Sequence, residues 1–218
     1  MAINLVKGQR VELAQGLSKL RVEMGWKVNP SANPPYDLDA STFLLGASGQ
    51  IENEYDFVFY GSPNKVEIKN EDGEMVSRPI SVDRSVIGSE DDLGDDDDNT
   101  GIGEEKIDVD LTKTSSSVKE ILFTVSIYWS PNDINDPENA PRVKYNFGQV
   151  RDAYIQIINA VTGDTICRYD LDEDFSTDKG VEFGRLYRRG TEWKFQAVGE
   201  AHKDGLEPIC RKYASKFM

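Results

Sequence analysis

The feature that most constrains the fold is a series of short segments in which apolar and polar residues alternate. Residues 118–129 (VKEILFTVSIYW) are apolar on both faces over part of their length, which predicts a strand in the middle of a sheet. Residues 19–26 alternate more strictly, and residues 54–60 are also predicted to form a strand. Roughly ten such segments, separated by turn residues, are typical of an all-β fold, a β-sandwich of two sheets.

The apolar residues near the C-terminal end recur with a different period. Leu206, Ile209, Tyr213 and Phe217 recur at helical spacing, which predicts a short C-terminal helix packed on the body of the protein. We therefore divide the chain into a sandwich over residues 1–203 and a helical segment over residues 204–218.

A charged stretch interrupts the strand pattern. Residues 65–97 have little apolar periodicity, and we interpret them as an insertion into the sandwich. Asp72-Gly73 is a hairpin-turn signal between two short apolar runs, so this stretch is expected to include one hairpin.

Composition excludes several classes of protein. The chain has 39 acidic and 25 basic residues and a net charge of -14, which disfavours nucleic-acid binding. Two cysteines do not make a disulfide framework, which favours a reducing compartment. An apolar signal-peptide core and a run of about 18 apolar residues are both missing from the sequence. We expect a cytoplasmic protein that does not insert into a membrane.

Residues 95–105 (DDDDNTGIGEE) suggest a metal site. Four consecutive carboxylates repel one another, and the glycines that follow allow several oxygens to converge. Ca²⁺ takes roughly 6–8 oxygen ligands, so it suits such a loop, whereas the simpler alternative is a solvated acidic run. An EF-hand does not fit, because Thr100 stands where that loop needs glycine and Lys106 where it needs glutamate.

Other candidate sites are weaker. Asp170, Asp172, Glu173 and Asp174 form a second acidic cluster, which we interpret as a solvated turn or as a further contribution to the metal region. His202 is the only histidine, so a zinc site or a catalytic triad is not expected, and we assign this residue a structural or surface role. The sequence contains no Gly-rich phosphate loop and no nucleophile elbow.

A series of short motifs runs along nearly the whole chain, from about residue 3 to residue 202. The most specific is FGRLYR (183–188) followed by WKFQAVG (193–199). The others are LVKGQR (5–10), GW (25–26), DLDAS (37–41), FVFY (57–60), DNTG (98–101), IDVDL (107–111), FGQVR (147–151) and YDL (169–171). Together and in this order, these motifs resemble the TerD domain family of tellurium-resistance and bacterial stress-response proteins.

This resemblance implies a non-enzymatic stress-response module that binds Ca²⁺ through its acidic loops and presents a surface to protein partners, including a membrane-associated stress complex. The alternatives are a metal-dependent hydrolase or carbohydrate-active β-sandwich that uses Asp carboxylates, and a purely structural interaction module. The metal ligands that the resemblance implies are Asp37, Leu38, Asp39, Asp98, Asn99, Gly101, Glu104 and Glu105.

Overall fold

Alternating apolar residues produce two six-stranded sheets, which pack face to face in a computed structural model. The structure describes residues 2–27, 29, 31–32, 34, 36–70, 72–90, 102–172 and 175–218. The strands are β1 (Ile3–Leu5), β2 (Arg10–Glu12), β3 (Lys19–Lys27), β4 (Leu38–Leu45), β5 (Phe57–Val58), β6 (Lys65–Lys69), β7 (Met75–Pro79), β8 (Val86–Ile87), β9 (Ile102–Asp110), β10 (Glu120–Ile127), β11 (Arg151–Asn159), β12 (Thr165–Asp170), β13 (Gly180–Arg189) and β14 (Glu192–His202). The α-helix is α1 (Leu206–Tyr213), and short 3-10 helices span Glu54–Asp56, Pro131–Asn135, Ala140–Lys144 and Ser215–Phe217.

The two large sheets use strands from the whole length of the chain. Sheet 1 has the order β1-β12-β11-β3-β9-β8, and sheet 2 has the order β2-β14-β13-β10-β4-β5. Neighbouring strands are antiparallel except β1 and β12, which are parallel. The predicted all-β sandwich of two sheets is therefore confirmed.

Strand β10 lies between β13 and β4, as its apolar character predicts. Phe123 and Val125 face the other sheet, and both are almost completely buried. Leu122 points to the opposite side, where it joins a smaller apolar cluster. A strand buried on both faces reads as a nearly continuous apolar run, which explains the pattern of residues 118–129.

Helix α1 covers the outer face of sheet 2. Ile209 is fully buried and packs in one cluster with Phe43, Leu45 and Leu122. The predicted C-terminal helix is thus present, but it ends at Tyr213, and Phe217 is 45% exposed. Within the described residues, no helix is both long enough and apolar enough to cross a membrane.

The predicted hairpin around Asp72-Gly73 is present as a separate two-stranded sheet of β6 and β7. Gly73 has a φ of 86°, a backbone conformation that favours glycine. Arg78 of β7 links this hairpin to sheet 1 through hydrogen bonds. Its guanidinium donates to the carbonyl oxygen of Gly88 at 2.6 Å and to Asp108 Oδ2 at 2.9 Å. Whether residues 65–97 are an insertion stays a prediction.

The strand predicted over residues 54–60 is present only at residues 57–58. A 3-10 helix spans Glu54–Asp56 because the side chain of Asn53 accepts a hydrogen bond from the backbone N–H of Tyr55 at 3.0 Å. The strand that follows, β5, comprises only Phe57–Val58.

Asp56, at the end of this 3-10 helix, gives a pH-dependent prediction. Burial, together with the charges of Asp83 and Glu52, raises its pKa to about 6. The folded state therefore binds a proton that the unfolded state has already lost between pH of about 4 and 6. The stabilisation from this proton is present below about pH 4 and is lost as the pH rises through 6.

We therefore expect Asp56→Asn to raise the melting temperature at pH of about 7.5 and to have little effect near pH 4. Thermal melts at the two pH values measure the difference, with Glu54→Gln in the same turn as the control. An Asn variant that is less stable than the parent protein at the higher pH would show that the charged carboxylate is favourable.

Candidate metal centre

The two predicted acidic segments lie at the same end of the sandwich. Strand β3 ends at Lys27, which is paired with Ile102 at the start of β9. Strand β4 of sheet 2 begins at Leu38, which is paired with Ile127 of β10 in the same sheet. The backbone N–H of Phe147, just before β11, donates to the carbonyl oxygen of Asp178, just before β13, at 2.8 Å. Arg151 of β11 pairs with Lys27, and Gly180 of β13 pairs with Ser126 beside β4, so the two strand ends lie at the same end of the sandwich. We call this the acidic end of the sandwich.

The first segment is largely buried. Asp37 and Asp39 are 9% and 7% exposed, and Leu38 between them packs in the core between the sheets. Side chains alternate along a strand, so Asp39 faces the outer side of sheet 2. Asp37 Oδ2 accepts a hydrogen bond from Arg142 at 3.2 Å, in a largely buried ion pair.

The second segment places its two described carboxylates on opposite faces of sheet 1. Glu105 is 3% exposed and alternates with residues of the core, so it points towards the sandwich interior. Glu104 points outward, where its Oε1 accepts a hydrogen bond from the hydroxyl group of Tyr154 at 3.2 Å. The predicted ligands Asp98, Asn99 and Gly101 lie outside the described residues.

Tyr154 is held in a fixed position beside Glu104. Its ring lies across Gly25, where an added Cβ would stand 2.5 Å from the ring, and the guanidinium of Arg168 stacks on it at 3.6 Å. Burial and the charge of Glu104 raise the pKa of Tyr154 to about 12, so its hydroxyl group remains a proton donor. The tyrosine therefore orients the Glu104 carboxylate.

The donor types at the acidic end suit calcium. Asp37, Asp39, Glu104 and Glu105 offer only oxygen atoms, and Ca²⁺ prefers such ligands. Within the described part of the chain, however, three ligating groups come within 4.8 Å of one another at Glu182, Glu200 and His202, and not at the acidic end. Among the described members of the predicted ligand set, Asp39 faces the outer side of sheet 2, Glu104 the outer side of sheet 1 and Glu105 the interior, so these three do not form such a group by themselves. An ion at Asp37 must also share this carboxylate with Arg142.

A cavity of about 570 Å³ opens on sheet 1 at the acidic end, where β11 begins and β12 ends. Its walls include Lys27, Arg151 and Asp152 together with Asp170 and Asp172 of the second acidic cluster. Asp170 Oδ1 is paired with Arg168 at 2.7 Å, so part of that cluster is already neutralised. Glu173 and Asp174, its other members, lie outside the described residues.

Comparison with known proteins decides the family. The sequence model of the TerD domain matches residues 1–213. The chain belongs to the TerD family. It is 36% identical to general stress protein 16U of Bacillus subtilis, over 98% of this chain and 97% of that protein. It is also 32% identical to the tellurium resistance protein TerD of Serratia marcescens, over 98% and 97% of the two chains.

A solved structure agrees with the fold of this TerD-family chain. The crystal structure of a homologue of telluride resistance protein (TerD) from Streptomyces coelicolor A3(2) superposes with a TM-score of 0.58. The likeness covers 92% of this chain and 98% of that chain at 14% identity. At this sequence identity, the superposition shows a shared sandwich fold and no more. The names of the two sequence relatives indicate a role in stress response or tellurium resistance.

The sequence did not predict two features of this region. Arg142, the partner of Asp37, is 105 residues away in the chain, and no local pattern signals such a pair. The second feature is the group of Glu182, Glu200 and His202, which depends on a local irregularity of the β13–β14 pairing. The register of the hairpin, extended from its turn, would place Glu182 opposite Gly199, and a β-bulge between Glu182 and Gly184 shifts it by one residue to Glu200.

Proposed function

We propose that this TerD-family chain is a calcium-binding, non-enzymatic stress-response module of the cytoplasm. Ca²⁺ would be held at the acidic end by oxygens from the segment 37–39 and the segment 98–105. The observation that supports this proposal is that the strands following these two acidic segments begin at one end of the sandwich, one in each sheet.

The charge distribution of the chain favours the binding of a cation such as Ca²⁺ at the acidic end. Three carboxylates at the acidic end are at least 91% buried, in a chain whose net charge is -14. Buried carboxylates need a compensating positive charge, and Arg142 supplies it at Asp37. A divalent ion would add positive charge near these carboxylates and would reduce the repulsion among Asp95, Asp96, Asp97 and Asp98.

We further propose that the ordered acidic end is recognised by a protein partner, such as a component of a membrane-associated stress complex. A loop that is rigid only with Ca²⁺ loses less conformational entropy when it binds a partner than a loop without the ion. The fraction of the protein bound to its partner would then rise with the fraction that carries Ca²⁺.

The structure supports a non-enzymatic role better than it supports hydrolase activity. A hydrolase of this kind would need a carboxyl group of raised pKa inside a cavity. Asp56, a carboxyl group whose pKa rises to about 6, is not among the residues that line the cavity at the acidic end. The lining there combines lysine, arginine and aspartate, of which Arg168 and Asp170 neutralise one another.

Calorimetric titration of the chelator-treated chain with Ca²⁺ tests the proposal. We expect saturable binding, and we expect Asp39→Asn and Glu105→Gln each to weaken it at least tenfold, because each substitution removes one anionic oxygen donor. Asp164→Asn is the matched control, since this exposed aspartate follows β11 at the opposite end of the sandwich.

Two results would contradict the calcium proposal. One is the absence of any heat that depends on Ca²⁺. The other is an equal loss of affinity in the Asp164→Asn control, which would mean that calcium only screens the acidic surface. Circular dichroism of each variant checks that the loss does not come from unfolding.

A further inference from the structure

A second cluster of metal-ligating groups lies on the outer face of sheet 2, where α1 crosses β13 and β14. It consists of Glu182, Glu200 and His202, whose ligating atoms lie within 4.8 Å of one another. Glu182 is paired with Glu200 across the hairpin, and His202 is paired with Gly180. The cluster therefore rests on two hydrogen-bonded strands, a rigid support for a ligand set.

The cluster already holds a positive charge. Lys212 of α1 places its Nζ 2.9 Å from Glu182 Oε1 and 3.0 Å from Glu200 Oε1. Burial disfavours the charged form of Lys212, but hydrogen bonds to Tyr213, Glu182 and Glu200 outweigh this effect and raise its pKa. The geometry thus binds a cation, which in this structure is an ammonium group.

Glu182 is the most constrained ligand. Its side chain is 2% exposed, and its Oε1 lies 2.9 Å from His202 Nε2. Its other oxygen, Oε2, accepts a hydrogen bond from the hydroxyl group of Tyr213 at 2.8 Å. A hydrogen bond to the second oxygen of a carboxylate ligand is the arrangement that orients ligands around protein-bound metals.

The three groups form a ligand set for zinc-like ions. One imidazole nitrogen and two carboxylate oxygens, at bonds of roughly 2.0–2.2 Å, place neighbouring ligand atoms roughly 3.4 Å apart around a tetrahedral ion. Glu182 Oε1 and His202 Nε2 are at 2.9 Å, so small side-chain rotations suffice. Lys212 is 40% exposed, and its long side chain can move its charge into solvent.

We propose that Glu182, Glu200 and His202 form a binding site for a zinc-like divalent metal ion, which takes the place of the Lys212 ammonium group. Three protein ligands leave the fourth position of a tetrahedral ion open to water or to a donor atom from another molecule. The imidazole ligand distinguishes this site from the acidic end, because calcium prefers oxygen ligands alone.

Titration of the full chain with Zn²⁺, in the presence of saturating Ca²⁺, tests this site. Visible absorption of bound Co²⁺ gives an independent readout of tetrahedral coordination. We expect His202→Gln to weaken Zn²⁺ binding by more than about 100-fold, since loss of a direct ligand exceeds the 10–100-fold effect of an outer partner. Glu200→Gln, at a side chain 54% exposed, should weaken it in the same direction without endangering the fold.

Lys212→Met supplies the decisive comparison. With the competing ammonium group removed, Zn²⁺ should bind roughly tenfold more tightly. Glu207→Gln is the matched control, because Glu207 lies on the same helix and pairs with Arg211 at 2.6 Å, outside the cluster. Its affinity for Zn²⁺ should be unchanged.

Either of two outcomes would overturn the inference. Zn²⁺ affinity that is unaffected by His202→Gln would place the ion elsewhere, for example on Cys210. Unchanged or weaker binding in Lys212→Met would mean that the metal does not replace the ammonium group. Neither outcome bears on calcium, because Asp39→Asn and Glu105→Gln are expected to bind Zn²⁺ as the parent protein does.

Discussion

Replacing Phe123 by alanine is expected to lower the free energy of unfolding by about 3–5 kcal/mol. Phe123 is fully buried at the centre of β10 and faces the core between the two sheets. Its neighbours in register are Thr42 of β4 and Gly184 of β13, and a glycine has no side chain to fill the cavity that the substitution leaves. Denaturant titration measures the loss, which corresponds to a fall in melting temperature of roughly 6–20 °C for a chain of this size.

Val161→Ala is the control for this experiment. Val161 lies in the turn after β11 and is 76% exposed, so its truncation should change the stability by less than about 0.5 kcal/mol. A loss below about 1 kcal/mol in Phe123→Ala would contradict the packing of the two sheets across this residue.

Calcium is expected to have the second large effect. If Ca²⁺ binds the folded chain alone, a concentration 100-fold above its dissociation constant stabilises the fold by about 2.7 kcal/mol. The melting temperature of the chelator-treated chain should then rise by roughly 5–11 °C when Ca²⁺ is restored. Differential scanning calorimetry measures the shift directly.

Two controls separate binding from screening. The chain carries a net charge of -14, so any salt reduces its self-repulsion, and NaCl at matched ionic strength measures that contribution. Mg²⁺ should stabilise less than Ca²⁺, because it demands octahedral geometry and gives up its water reluctantly. Equal shifts with Ca²⁺ and with NaCl would mean that no specific ion site exists.

Local pattern was sufficient to predict much of the fold. Apolar residues on both faces predicted the central position of β10, and the spacing of Leu206, Ile209 and Tyr213 predicted a helix packed on the body. Side chains return to the same face every two residues in a strand and roughly every 3.6 residues in a helix. Residues close together in the sequence are therefore enough to predict these features. The start of the segment 54–60 was wrong because a single side-chain cap at Asn53 outweighed the strand pattern.

The candidate sites depend on contacts that a local pattern does not record. The acidic run of residues 95–105 was identified from its composition and the segment 37–39 from the family resemblance. The sheet face that each carboxylate occupies, however, depends on which sheet its strand joins. Asp37 meets Arg142 only because the connection between β10 and β11 folds over the acidic end. His202 looked isolated in the sequence, although the turn of the β13–β14 hairpin and the course of α1 bring Glu182, Glu200 and Lys212 to it.

Anomalous diffraction from crystals grown with abundant Ca²⁺ tests the central claim most directly. Our account predicts at least one calcium ion at the acidic end, bound by oxygens from both the 37–39 and the 98–105 segments. A crystal in which these two segments lie apart, or lie together without an ion between them, would contradict it.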